Sequence, residues 1–196
     1  MPVLDELLHE VRSCRVCEAA LPLGPRPVVR ASATARVLII GQAPGTRVHA
    51  TGIPWNDPSG ERLRHWLAIP PDVFYDVGRI AIMPMGFCYP GRGRGGDMPP
   101  RPECAPLWHP PLLAAMPGVE LVLLVGQYAQ KRYLPGCQAS LTENVRPFLD
   151  PAIAREQRWF PLPHPSPRNT RWLRQRPWFE AQVVPVLRQR LRSVLG

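Results

Sequence analysis

The chain has 196 residues, 45% hydrophobic and 20% charged, a balance that fits one globular domain over residues 1–196 and excludes a disordered chain despite 27 prolines. No run approaches the roughly 18 apolar residues of a membrane span, and the N-terminus lacks a basic start before an apolar run, so a soluble, cytoplasmic monomer with no membrane contact is expected. A net charge of +9 suits a polyanionic partner, whose phosphates release counterions when neutralised, although the near-exclusive use of arginine (Lys131 is the only lysine) also follows from a GC-rich genome.

Residues 3–15 carry Val3, Leu4, Leu7, Leu8 and Val11 at helical spacing and run into Cys14 and Cys17, which predicts a helix with a cysteine pair at its end. Residues 21–35, rich in Pro and Gly, predict an extended connection. Residues 36–41 are a short β-branched run ending in Gly41, the pattern of a buried parallel strand and a tight turn. A helix is predicted over 59–67 behind a Ser59 cap, and a second buried strand over 79–85.

Residues 107–116 predict a helix, 119–125 a third strand ending at Gly126, and 127–134 another helix. The shorter, more polar residues 158–162 predict an edge strand that runs into Pro163 and His164. A last helix over about 178–194 buries Phe179, Val183, Val184, Val186, Leu187, Leu191 and Val194. No internal repeat is visible. Strands alternating with helices predict an α/β fold, a three-layer α/β/α sandwich around a four-stranded, mostly parallel sheet.

Two strand exits are rich in turn-forming and polar residues, and ligands bind at that edge of open α/β sheets. Gly41-Gln42-Ala43-Pro44-Gly45 lets the backbone turn sharply and present amides to a ligand, and by itself it equally fits a phosphate-binding or purely structural turn. His164-Pro165-Ser166-Pro167-Arg168-Asn169 is stiffer, with two prolines fixing the backbone around a histidine. Five cysteines, an odd number, speak against a disulfide framework and for ligation or burial.

Taken together, the order and placement of these two segments resemble the uracil-DNA glycosylase superfamily over most of the chain. Gly41 to Gly45 look like the first motif of its iron-sulfur branch, where the second residue is usually glutamate. His164 to Asn169 are similar to the second motif in the form seen in the single-strand-selective monofunctional enzymes. Cys14, Cys17, Cys88 and Cys104 resemble that branch's ligands for a 4Fe-4S cluster, with zinc as the alternative occupant of four thiolates. Cys137 is left over as a buried or loop thiol.

The resemblance implies base-excision repair: hydrolysis of the N-glycosidic bond of a deaminated base, uracil first, flipped out of DNA to leave an abasic site. His164 would donate to the base carbonyl as negative charge develops, aided by amides of the turn at Gln42 to Gly45. Gln42 cannot act as a strong base, so Asp57 is the candidate replacement near the water, although it also reads as a turn residue before Pro58. Gly52-Ile53-Pro54-Trp55 resembles the family segment that ends in a phenylalanine stacked on uracil, which makes Trp55 the expected aromatic floor. Arg168 would wedge into DNA or hold phosphate, Ser166 would pinch the backbone and Asn169 would fix the loop. The loop from Tyr89 to Gly96 is a flexible basic segment suited to DNA.

At the end of the second strand Met83, Pro84 and Met85 offer no side-chain amide to read a uracil edge. Hypoxanthine or another deaminated base is therefore an alternative substrate. Two further readings stay open, a DNA-binding module that keeps the fold without the chemistry, and a nucleotide-binding α/β hydrolase built on the glycine turn.

Overall fold

The computed structural model describes residues 4–196; Val3, expected to open the first helix, lies outside them. In chain order the elements are α1 (Leu4–Arg12), β1 (Val37–Ile40), α2 (Thr46–Thr51), α3 (Pro58–Leu67), α4 (Pro71–Tyr75), β2 (Ile80–Ile82), β3 (Arg92–Gly93), β4 (Gly96–Asp97), α5 (Cys104–Ala114), β5 (Leu121–Val125), α6 (Gln127–Tyr133), α7 (Leu141–Val145), α8 (Pro151–Glu156), β6 (Trp159–Leu162), α9 (Thr170–Gln175) and α10 (Val184–Leu195).

Four strands form one parallel sheet in the order β2-β1-β5-β6, with Ile39 level with Ile82 on one side and Leu123 on the other. The central strands β1 and β5 are buried at every position, because helices cover both faces and neither alternate can be polar. Val37, Ile39, Leu121, Leu123 and Val125 pack toward Leu63 and Trp66 of α3 and Leu187 and Leu191 of α10. Leu38, Ile40, Val122 and Leu124 pack the other way, toward Leu7, Leu8 and Val11 of α1 and Leu112 of α5. This is the expected three-layer α/β/α sandwich. Among the described residues no helix is long and apolar enough to cross a membrane.

Both sheet edges are protected. Arg30 in the extended connection pairs with Ile82 through both backbone groups (2.9 and 2.7 Å), and so covers β2. At the other edge β6 carries Pro161, whose missing N–H is tolerated there.

The expected strand over 79–85 is only three residues long. Beyond it the chain leaves the sheet, and the amides of Met83, Met85 and Gly86 donate to the carbonyls of Ile39, Gly41 and Gln42 (2.9 to 3.0 Å). The helix expected behind Ser59 starts at Pro58 instead, and its cap is Asp57, whose Oδ1 accepts from the Gly60 amide at 2.8 Å. A carboxylate at the cap followed by proline at the first helical position outcompetes a serine two residues later. The helix expected over 107–116 begins at Cys104, and the first turn of the last helix, Phe179–Val183, is a wider π turn before α10. The loop expected to be flexible folds back as an antiparallel hairpin, with Arg92 opposite Asp97.

Fully buried His109 on α5 braces the site from below. Its Nδ1 accepts from the Tyr133 hydroxyl (2.6 Å) and its Nε2 donates to the Pro84 carbonyl (3.0 Å), while burial pushes its pKa down to about 4. The unfolded chain binds a proton at this ring near pH 6.5 and the folded chain does so only near 4, so this contribution to stability is complete above pH 6.5 and is lost as pH falls toward 4. Denaturant titrations should show it as a decline on the order of 3 kcal/mol across that window. The slope should flatten in His109→Gln; an unchanged slope would show that this ring is not the one refusing the proton.

Candidate active site

The carboxyl ends of β1, β5 and β6 open onto one cavity of about 570 Å³. Every non-cysteine residue expected from the sequence to act in catalysis or to hold the base lines it, together with the polar residues of the second motif: Gly41, Gln42, Ala43, Pro44 and Gly45 after β1, Trp55 and Asp57 before α3, and His164, Ser166, Arg168 and Asn169 after β6. Segments more than 100 residues apart therefore meet because parallel neighbouring strands end at the same sheet edge.

His164 is held from two sides. The Asn169 side-chain amide donates to its carbonyl at 2.8 Å, and the Ser166 amide donates to its Nδ1 at 3.2 Å. Burial is the main cause that pushes its pKa down to about 4; Asp57 pulls it up and Arg168 pulls it down. The ring is therefore neutral at physiological pH. With Nδ1 accepting from Ser166, the proton sits on Nε2, which becomes a fixed donor.

Trp55 adopts φ +57°, a left-handed conformation rare for a bulky residue and typical of functional sites. Its neighbours hold that strain. Arg64 Nη1 donates to the Trp55 carbonyl (3.1 Å), and the Tyr75 hydroxyl donates to the Pro54 carbonyl (3.0 Å). The indole reaches over Gly41, where a Cβ would come within 2.8 Å of it, and its ring centre lies 5.6 Å from that of His164 at a tilt of 35°. The expected aromatic wall is thus in contact with both motifs.

The sequence reading missed the hairpin's part in the cavity. Arg92, Gly96 and Asp97 line it. Gly96 has φ +120°, and the Arg168 guanidinium lies where a Cβ at this position would project. Gln42 Nε2 donates to the Met98 carbonyl at 3.4 Å and so ties the first motif to the end of β4. The run of alternating glycines at 91, 93, 95 and 96 before Asp97 was the available signal for a tight hairpin. Where a base-reading amide was missing from the sequence, Ile82 and Pro84 form the wall.

The four cysteines converge elsewhere. Cys14 and Cys17 beyond α1, Cys88, and Cys104 at the start of α5 line one small cavity, all as free thiols. The Phe87 amide donates to Cys104 Sγ at 3.3 Å, and the Arg26 amide donates to Cys88. Burial and the neighbouring thiols raise Cys88 to about 11 and Cys104 to about 12. Among the described residues no three His, Cys, Asp or Glu side chains already form a single-ion site. Cys137 is a half-buried loop thiol, its sulfur accepting from Asn144 Nδ2 at 3.5 Å.

This second cavity is joined to the first by short backbone links. Gly86, beside Phe87, holds the Gln42 carbonyl, and the Arg26 side chain donates to the Ala50 carbonyl (2.8 Å) beside the Gly52 to Trp55 segment. Residues 29–188, well over half of the chain, match the family described as the Uracil DNA glycosylase superfamily, and the chain belongs to it.

Proposed function

We propose that the protein is a DNA glycosylase that hydrolyses the N-glycosidic bond of a flipped deaminated base, uracil first, and leaves an abasic site. The observation that carries this reading is the neutral His164, its Nε2–H free to donate into a cavity bounded by the first-motif turn and Trp55. Cleavage leaves the bond's electron pair on the base, so a preorganised donor at a base carbonyl stabilises the transition state more than the ground state. A neutral imidazole does this without having to lose its proton. Trp55 supplies an aromatic face for the expelled base, and stacking offsets part of the cost of leaving the helix. Arg92 and Arg168 at the cavity, on a chain of charge +9, favour the DNA backbone.

Oligonucleotides carrying uracil or hypoxanthine, single- and double-stranded, test this by alkali cleavage after incubation. Strand scission at uracil is the expected result. Scission only at hypoxanthine would move the substrate to that base, in keeping with the apolar wall at Ile82 and Pro84. Binding without scission at any base would favour a DNA-binding module of the same fold.

The four cysteines fit a bound group by their donor chemistry: four thiols from three segments share one cavity, and two already accept backbone amides. A 4Fe-4S cluster held by Cys14, Cys17, Cys88 and Cys104 is proposed, with zinc as the alternative. Such a group would act structurally, replacing the protons that burial keeps on Cys17, Cys88 and Cys104 and pinning α1, α5 and the segment after β2 together. Cys14→Ala or Cys88→Ala is expected to lower thermal stability and to abolish visible absorption and bound iron. Anaerobically purified wild-type protein that is colourless and free of iron would rule out the cluster, and stoichiometric zinc would replace it.

A further inference from the structure

We propose that Asp97 on the hairpin holds and deprotonates the attacking water, and that Gln42 is the positioning residue that keeps Asp97 at the cavity. The inference rests on the glycosylase reading above and assigns a role to residues that reading leaves without one. Hydrolysis requires balance at the sugar. The water oxygen forms a bond to C1′, the C1′–N bond breaks with its electron pair leaving on the base, and a water proton passes to an acceptor on the protein.

The cavity offers two carboxylates for that last step, Asp57 and Asp97. Asp57 is engaged at one oxygen as the cap of α3, 2.8 Å from the Gly60 amide, and lies close enough to His164 to pull the ring's pKa upward. Asp57 is therefore already committed, through one oxygen, to the cap of α3 beside the His164 ring. Asp97 stands at the other end of the first motif, with Oδ2 3.5 Å from where a Cβ on Gly45 would be. Among the described residues no group hydrogen-bonds its carboxylate, so both oxygens are open to water.

Gln42 gives the hairpin its register against the site. Its Nε2 donates to the carbonyl of Met98, the residue after Asp97, and the Met98 amide donates to the Gly91 carbonyl (2.9 Å) to close the hairpin's base. A carboxylate at position 42 has no proton to give that carbonyl. The amide that removes a base from the first motif thus fastens a carboxylate from the hairpin beside it.

Single-turnover rates on a uracil oligonucleotide, measured beside DNA affinity, test the assignment. Asp97→Ala is expected to slow cleavage about 100-fold, the lower range for losing a general base, with affinity changed less than about twofold. Added formate is expected to restore part of the lost rate by supplying a carboxylate to the vacated space, a response that a merely structural role does not give. Gln42→Glu and Gln42→Met are each expected to slow cleavage about 10-fold without formate rescue. Wild-type rates in Asp97→Ala overturn the role of Asp97 alone, as does a rate loss that formate leaves untouched and that affinity follows. A wild-type protein that cleaves no base overturns the glycosylase reading, and this assignment with it.

Discussion

Replacing His164 with alanine is expected to lower the cleavage rate about 100-fold or more while leaving DNA affinity and the fold intact. That size is the scale of losing one preorganised donor to a developing anion. The fold is spared because His164 stands at the strand's exit, beyond the buried β6 residues Phe160 and Leu162. A pH profile separates two ways in which an imidazole can serve. A charged ring would lose activity as pH rises through about 6.5, the usual histidine value. Here burial holds the ring near 4 and Ser166 occupies Nδ1, so the His164-dependent part of the rate should be flat from about pH 5.5 to 8. It should fall only near pH 4, where protonated Nδ1 can no longer accept from the Ser166 amide. Wild-type turnover in His164→Ala would remove the ring from the mechanism, and a decline centred near pH 6.5 would show that the charged ring is the active form.

Much of the sheet was legible because buried parallel strands write an unambiguous pattern. Val37 to Ile40 and Leu121 to Val125 have no polar alternation to confuse, and glycine follows each. The convergence of the candidate site residues was legible through the exits of those strands, since parallel order brings the two motifs to one edge whatever the loops between them do. What escaped notice has physical reasons. The helices α2, α4, α7, α8 and α9 are each five or six residues long, too short for a helical period to show. Asp57 and Ser59 are both good caps, and only Pro58 at the first helical position tips the choice. Asp97 reads as one more exposed acid until the hairpin folds it over the Gly45 turn. The left-handed backbone of Trp55 depends on Arg64, Tyr75 and Gly60, none of which is adjacent in sequence.

The cysteine cavity and the candidate active site are one mechanical unit, because consecutive residues serve both. Met85 and Gly86 hold the carbonyls of Gly41 and Gln42, the next amide, Phe87, holds Cys104 Sγ, and Cys88 follows. Any group that clamps the thiols therefore also fixes the first motif. The proposed four-thiolate centre would in this way steady the candidate active site from outside its cavity.

Gly60→Ala should be the most damaging single change outside the catalytic set, although it adds only one methyl group. The new Cβ would lie 1.7 Å from the Trp55 carbonyl oxygen and 2.6 Å from its carbon, which are backbone atoms with no rotamer to escape into. Either α3 withdraws its first turn, breaking the Asp57 cap to the Gly60 amide, or the Trp55 segment moves and gives up its contact with Arg64. Overpacking of a closed site costs up to about 3 kcal/mol and sometimes more, and losing a cap about 1 kcal/mol. With about 2 to 4 kcal/mol lost in all and roughly 2–4 °C per kcal/mol for a chain of this size, a fall in melting temperature of roughly 4 to 16 °C is expected. Gly95→Ala is the control, since a Cβ there meets nothing within 4 Å and should leave the melting temperature nearly unchanged. Cleavage should fall with the melting temperature in Gly60→Ala, because the displaced carbonyl carries the indole away from Gly41 and His164. A Gly60→Ala protein as stable as the control would show that the Trp55 backbone is free to relax, and its left-handed turn would then be no part of how the pocket is held.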